Sequence, residues 1–231
     1  MARVDELIKM AKEYNLKMIS IEDLIKYRRR TEINVKHDET IKLPTSFGEF
    51  ELQTFKDLIT KENYIVLTAG DFKKNPLVRV HSQCMTGDIF ASQRCDCGEQ
   101  LHLSMKMIQE KGGVIIYEPQ EGRGIGILNK IKAYKLQEQG HDTIEANKQL
   151  GFHADLRDYS ACAQILKALG INNIQLLTNN PNKVESLTDY GIQIKRRVPL
   201  EVAPNKNNQH YLNTKKNRMG HLFNENVIHL H

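Results

Sequence analysis

Apolar residues recur with a helical period at the N-terminus, where Val4, Leu7, Ile8 and Ala11 share one face over residues 4–14. "KMIS" reads as a short strand candidate, and Ser20 caps a second helix, "IEDLIKYRRR", with Asp23 at the capping-box position. Residues 31–39, "TEINVKHDE", are polar and read as a linker. From Ile41 the period changes: "IKLPT", "FGEFELQTF", "YIVLTAG" and "LVRVHSQ" alternate or run apolar between turn residues, as strands do. Helices and strands then take turns. A helix is expected over 98–111, a buried strand at "GVIIYEP", a helix over 127–139, and another from Asp158 to Leu169 closed by Gly170. The strand "NIQLLTNN", the helix "NKVESLTDYG" with Pro181 early in it, and the strand "IQIKRRV" follow. From Asn213 the chain is polar and reads as irregular. This succession predicts an α/β fold, a mixed sheet with a strand-rich N-terminal half and alternating strand and helix in the C-terminal half.

Composition narrows the class. The 231 residues are 40% hydrophobic and 26% charged, values of a soluble globular protein long enough to bury a sizeable core. No apolar run approaches the length of a membrane span, and "MARVDELIKMAKEY" lacks the apolar core of a secretion signal. A cytoplasmic protein with no membrane partner is expected. A net charge of +5 fits a nucleic acid, an anionic membrane or a small phosphorylated ligand. The basic runs "YRRR" and "KRR" are short, and a solvated helix end accounts for the first as well as any partner does.

Three of the four cysteines, Cys84, Cys95 and Cys97, lie close together in "HSQCMTGDIFASQRCDCGEQL". Clustered thiols in a reducing compartment point to metal binding or catalysis rather than disulfides. Three thiolate ligands leave one position of a tetrahedral zinc for water, the pattern of a catalytic rather than a structural ion. Gly98 favours a turn that would let Cys95 and Cys97 converge around Asp96. Cys162, in "YSACAQILKAL", has the spacing of a core residue instead. His81 and Cys84 would point to opposite faces of a strand, so His81 reads as a buried or site-lining residue more than a ligand.

"YEPQEGRGIGILNKI" runs from strand to helix through Gly122, Gly124 and Gly126, a context in which backbone N–H groups gather anions. It is neither the dinucleotide fingerprint nor a P-loop. Arg123 adds a phosphate-gripping guanidinium, although a tight turn with an exposed arginine would read the same. "HADLRDYS" and "LLTNNPNK" place further polar residues at strand ends and helix starts, where ligand crevices and plain capped turns both occur.

Together, "RVHSQCMTGDIFASQRCDCGEQL", "YEPQEGRGIGILNKIKAYKLQEQGHDTIEANKQLGFHADLRDYSACAQIL", "LLTNNPNK" and "HYLNTKKNRMGHL" resemble the GTP cyclohydrolase II family over residues 38–224, with 225–231 as a tail. That family opens the imidazole ring of GTP, releases formate and pyrophosphate, and leaves a diaminopyrimidine ribosylamino phosphate at the first step of riboflavin synthesis. The resemblance implies that Cys84, Cys95 and Cys97 bind Zn²⁺ and that Mg²⁺ accompanies the triphosphate. It implies GTP contacts at Arg79, Val80, His81, Ser82, Gln83, Gln100, Glu121, Gly122, Arg123, Thr143, Thr178 and Lys183. Asp155 matches a proton acceptor, Arg157 a proposed nucleophile toward the α-phosphate, and Tyr134 a tyrosine near the reacting base. A homodimer is also implied. One departure stands out: Gln83 replaces the glutamate of the family's "VHSE" stretch, removing a negative charge beside Cys84.

Residues 1–37 resemble the C-terminal end of 3,4-dihydroxy-2-butanone 4-phosphate synthase, followed by a linker. The acidic and arginine-bearing loops that carry that enzyme's catalysis lie upstream of the matching segment, so no synthase activity is expected of these residues. Two other readings compete: a zinc-stabilised nucleic-acid binder and a relative that keeps the formyl group. The first would need four metal ligands and stacking aromatics, but the chain has no Trp and is 6% aromatic, so no nucleic-acid partner is expected.

Overall fold

A computed structural model describes residues 2–153 and 155–223. The chain divides into two compact units between Ile33 and Asn34. The first holds helices α1 (Val4–Glu13) and α2 (Ile21–Thr31). Ser20 Oγ accepts from the Asp23 N–H at 2.9 Å, the expected cap. The "KMIS" segment is not a strand; Met18 and Ile19 stay 52% and 72% exposed there.

The second unit is built on strands β1 (Val35–Thr45), β2 (Gly48–Asp57), β3 (Asn63–Ala69), β4 (Leu77–Ser82), β5 (Gly113–Glu118), β6 (Asn173–Leu177) and β7 (Gln193–Val198). They form one mixed sheet in the order β1-β2-β3-β5-β4-β6-β7. Pairing is antiparallel from β1 through β3 to β5 and parallel from β5 through β4 and β6 to β7. The expected linker over 31–39 is therefore largely strand. Most of β1 is exposed at the sheet edge, where ladder hydrogen bonds need no apolar side chains, so its polarity hid it.

Around the sheet lie α3 (Met85–Asp88), α4 (Cys97–Lys111), α5 (Gly126–Glu138), α6 (Thr143–Gln149), α7 (Ser160–Ala168), α8 (Pro181–Asp189) and α9 (Gln209–Met219). Helix α9 falls where an irregular tail was expected. It is polar because it meets polar groups: Thr214 and Lys215 are buried along with Leu212. Residues 225–231 lie outside the described residues.

Burial explains the strand patterns. In β3, Tyr64, Val66 and Thr68 are buried while Ile65 is 39% exposed, the alternation of a one-sided strand. Strands β4 and β5 are buried almost throughout because helices cover both faces. Val78, Val80, Val114 and Ile116 pack with Cys162, Ile165 and Leu166 of α7 and Leu187 of α8. Leu77 and Ile115 pack the other way, against Met105 and Ile108 of α4. With a period of two, Arg79 and His81 face the α4 side, whereas Ser82 and Glu118 face the α7 side. The parallel strands β4, β5 and β6 all end at one edge of the sheet, the position at which open α/β sheets gather ligand groups.

Two substitutions test this layering. Ile116→Ala, at a fully buried position, is expected to lower unfolding free energy by about 2–5 kcal/mol in urea titration. Ile65→Ala, on the half-open face, should lose only about 1 kcal/mol or less.

Candidate active site

The chain leaves β4 at Ser82 and turns through Gln83 into Cys84 at the start of α3. The Cys84 N–H donates to Asp88 Oδ2 at 2.9 Å, which tightens this turn. Asp88 also accepts from the Tyr117 hydroxyl at 2.9 Å and lies 3.1 Å from His81 Nε2. His81 is 1% exposed, and burial holds its pKa below the usual imidazole range, so the ring orders the turn from within the wall. Cys97 opens α4, and Gly98 presses against the α3 turn: a Cβ there would lie 2.3 Å from the Gly87 carbonyl oxygen. This close approach brings the sulfurs of Cys84, Cys95 and Cys97 within 4.8 Å of one another.

The electrostatics of the cluster fit a cation. Cys84 and Cys95 sulfurs are 3.7 Å apart, and Lys130 Nζ lies 3.1 Å from Cys84 Sγ. Hydrogen bonds from the other two thiols, aided by the Lys130 ammonium, hold Cys84 far below the ordinary thiol range. Sharing a proton toward Cys84 pushes Cys95 up to about 11, and Cys97 rises for the same reason. Three thiolates at this spacing repel one another unless a metal ion neutralises them, and soft sulfur donors suit zinc. Glu121 Oε1 accepts from Lys130 at 2.8 Å and keeps that ammonium in place; burial alone would lower the Lys130 pKa, but Cys84 and Glu121 raise it.

The second wall is cationic. A 3₁₀ turn, Glu121–Gly124, follows β5, with Gly122 and Arg123 both in the left-handed region at φ 61° and 63°. This conformation carries Arg123 into the cleft, where its Nη1 is buried and has no hydrogen-bond partner among the described residues. Arg157 makes a forked pair with Asp155, Nε to Oδ1 at 2.9 Å and Nη2 to Oδ2 at 2.5 Å, and its Nη1 donates to Ser82 Oγ at 3.1 Å. Burial alone would raise the Asp155 pKa, but the Arg157 hydrogen bonds overcome it and hold the carboxyl below its usual range. Lys183, on α8, donates to the Val80 carbonyl at 2.8 Å.

A chain of buried polar contacts joins the two walls. Arg79 Nη2 donates to Gln100 Oε1 at 2.8 Å, Gln100 Nε2 to Asp96 Oδ2 at 2.6 Å, and Lys215 Nζ of α9 to Asp96 Oδ1 at 2.6 Å. Asp96 sits between two of the cysteines and is 1% exposed, so the cysteine loop is anchored to a helix more than a hundred residues away in sequence.

One open cleft of about 1010 Å³, counting the space at its mouth, is lined by Arg79, His81, Ser82, Gln83, the three clustered cysteines and Gln100. Glu121, Gly122, Arg123, Tyr134, Thr143, Arg157, Thr178 and Lys183 complete the expected set on its walls. Val80 and Asp155 do not line it: the Val80 side chain belongs to the core, and Asp155 reaches the cleft through Arg157. Sequence reasoning missed Lys130, Tyr211, Lys215 and His221. Lys130 could have been found, since it sits one helical turn before Tyr134. The polarity of α9 offered no such signal.

Lys215→Ala would strand the buried Asp96 carboxyl and loosen the Cys95–Cys97 turn. Metal affinity, read by competition with a chromophoric chelator, is expected to fall about 10–100-fold.

The profile of the GTP cyclohydrolase II family matches residues 36–199. The riboflavin biosynthesis protein RibBA of Endomicrobium trichonymphae is 54% identical over 225 residues, 96% of this chain and 56% of that protein. RibBA of Bacillus cereus is 52% identical over 227 residues, 97% of this chain and 57% of that protein. The chain thus spans little more than half the length of these curated relatives. Among solved structures, RibBX of A. baumannii, a two-domain 3,4-dihydroxy-2-butanone 4-phosphate synthase, is 24% identical with a TM-score of 0.45 and covers 77% of this chain and 44% of its own, too slight a likeness to bear on the fold. By a profile match that spans most of its length, this chain belongs to the GTP cyclohydrolase II family.

Proposed function

We propose that the chain hydrolyses GTP with opening of the imidazole ring, releasing formate and pyrophosphate and leaving a diaminopyrimidine ribosylamino phosphate. The observation that carries this reading is the pairing, in one cleft, of a three-cysteine cluster with Arg123, Arg157 and Lys183. The first suits hydrolytic chemistry on a base; the second suits a triphosphate. Cys84, Cys95 and Cys97 would hold zinc, and what zinc supplies in such a setting is Lewis acidity that makes water nucleophilic near neutral pH. Ring opening requires water to add at C8 of guanine, then cleavage of the C–N bonds that release formate. Tyr134, whose pKa burial raises, stays a neutral hydroxyl on the wall of the cleft, able to donate a hydrogen bond to the reacting base. Mg²⁺ is expected to enter with the triphosphate and share its charge with the arginines.

Asp155 and Arg157 are assigned together. A guanidinium already locked in a fork with a carboxylate, its pKa raised by that partner against the opposing effect of burial, is a poor nucleophile. We therefore assign Arg157 to electrostatic stabilisation of the cleaving phosphate, with Asp155 orienting it. In this state Asp155 is also a weak proton acceptor, because Arg157 holds it ionised. The family resemblance further supports a cytoplasmic homodimer. Residues 1–37 are read as the C-terminal end of a 3,4-dihydroxy-2-butanone 4-phosphate synthase. RibBA relatives align over 96% of this chain, an overlap that has to include most of the N-terminal unit.

Incubation with GTP, Zn²⁺ and Mg²⁺ should yield formate, pyrophosphate and the pyrimidine together; fully metallated protein that leaves GTP intact, or opens the ring and retains the formyl group, would refute the assignment. Cys84→Ser is expected to lose bound zinc and ring opening in parallel. Arg157→Ala should slow turnover about 10²–10³-fold, and single-turnover mass spectrometry of the wild type should find no guanylyl adduct on Arg157; a trapped adduct would restore the covalent role.

A further inference from the structure

Glu118 is the last residue of β5 and is fully buried, 0% exposed, behind the cationic wall. Few glutamates are buried this deeply without a reason, because desolvating a carboxylate is costly unless partners replace the lost water. Its partners here are numerous. Oε1 accepts a short hydrogen bond from the Ser82 hydroxyl and lies 4.0 Å from Lys183 Nζ. Oε2 accepts from Gln120 Nε2 at 3.2 Å and from the Cys162 thiol at 3.3 Å. Because Ser82 gives its only proton to Glu118, its lone pairs are turned to accept from Arg157 Nη1. Register makes this possible: Ser82 and Glu118 are paired residues on adjacent parallel strands and face the same side.

Resting on the assignment of the cleft to GTP, we propose that Glu118 is a positioning residue for triphosphate cleavage, ordering Arg157 through Ser82 and holding Lys183 as the counter-charge behind the phosphate subsite. It touches no phosphate itself. Before substrate binds, Arg157 and, from the other face of the sheet, Arg79 repel the Lys183 ammonium, and the carboxylate of Glu118 beside Lys183 offsets that repulsion. When the triphosphate enters, the cations are already aimed.

Lys183 reports the effect. Burial pushes its pKa down to about 7; Glu118 acts against that shift, while Arg79 and Arg157 reinforce it. Tyr159, whose ring centre is 4.9 Å from Nζ, and Cys162 are kept neutral by burial, and His221 is likewise held below its usual range. The sign follows. With Glu118 neutralised, the ammonium loses its one opposing charge, so Lys183 deprotonates at lower pH and the free protein loses phosphate affinity sooner as pH rises. Above its pKa the neutral amine must regain a proton when a polyanion binds.

The test compares wild type with Glu118→Gln and Glu118→Asp, after matching zinc content and thermal unfolding. The alkaline limb of kcat/KM, which reports the free enzyme, should move down by about one pH unit or more in Glu118→Gln, with kcat itself moving less because bound triphosphate keeps Lys183 charged. Glu118→Asp, which keeps the charge, should leave the limb near its wild-type position. The same comparison with inorganic triphosphate needs no turnover: calorimetry in buffers of different ionisation heat should show proton uptake near pH 8 in wild type, and the onset of uptake should move to lower pH in Glu118→Gln. An unchanged limb and unchanged onset in Glu118→Gln, or an equal shift in Glu118→Asp, would overturn the proposal. Wild-type protein that takes up protons with triphosphate but does not turn over GTP would overturn the reading of the cleft and leave the role of Glu118 decided by calorimetry. If Glu118→Gln does not fold, Lys183→Met decides: it should abolish the proton uptake with triphosphate, and uptake retained in full would overturn the proposal.

Discussion

Everything in the cleft depends on the parallel pairing of β4 with β5 on one side and β6 on the other. A strand in that position is covered on both faces, so its interior must be apolar and its polar work is pushed to its end. The chain obeys this: Val78 and Val80 are wholly buried, and beyond Ser82 come the first cysteine and the turn that carries it. Because parallel strands end at the same edge, the loop after β5 and the Thr178–Asn180 segment after β6 converge on that turn without further help.

Convergence brings charges into a dry place, and the structure meets the cost by pairing them. Lys130 lies between Cys84 and Glu121, Asp96 between Gln100 and Lys215, Arg157 against Asp155, and Glu118 beneath Lys183. Pairs of this sort add little net stability, since desolvation consumes most of the Coulomb gain. Their value is orientation: each leaves its functional partner in a single pose. Arg123 Nη1, like Arg79 Nε, is buried without a hydrogen-bond partner among the described residues, and such a donor is a reason to look for a ligand anion at that spot.

The parts of the site legible in sequence were those with local spacing. Cys84, Cys95 and Cys97 lie within one short stretch, and the glycines around Arg123 mark a turn that only positive φ permits. Elements with a clean period, such as β3 and α7, were equally legible. The failures share a cause. Edge strand β1 and helix α9 are polar, and polarity reads as loop unless one knows that the first is half in water and the second meets buried charges. Lys215 reaches Asp96 across most of the unit, and no spacing rule links residues so far apart.

By itself, then, the sequence determined the mixed α/β class, the clustering of three thiols, the glycine-rich turn around Arg123 and the family, because each of these is written in neighbouring residues. Only the tertiary structure decided which of these groups share a cleft, that Val80 belongs to the core while its carbonyl accepts from Lys183, and that Asp155 is paired with Arg157. It also singled out Glu118, an unremarked residue at a strand end, as the most buried carboxylate behind the cations. The reason is physical: burial and charge pairing depend on which distant segments are stacked together, and that is a property of the sheet order, not of any window of the chain.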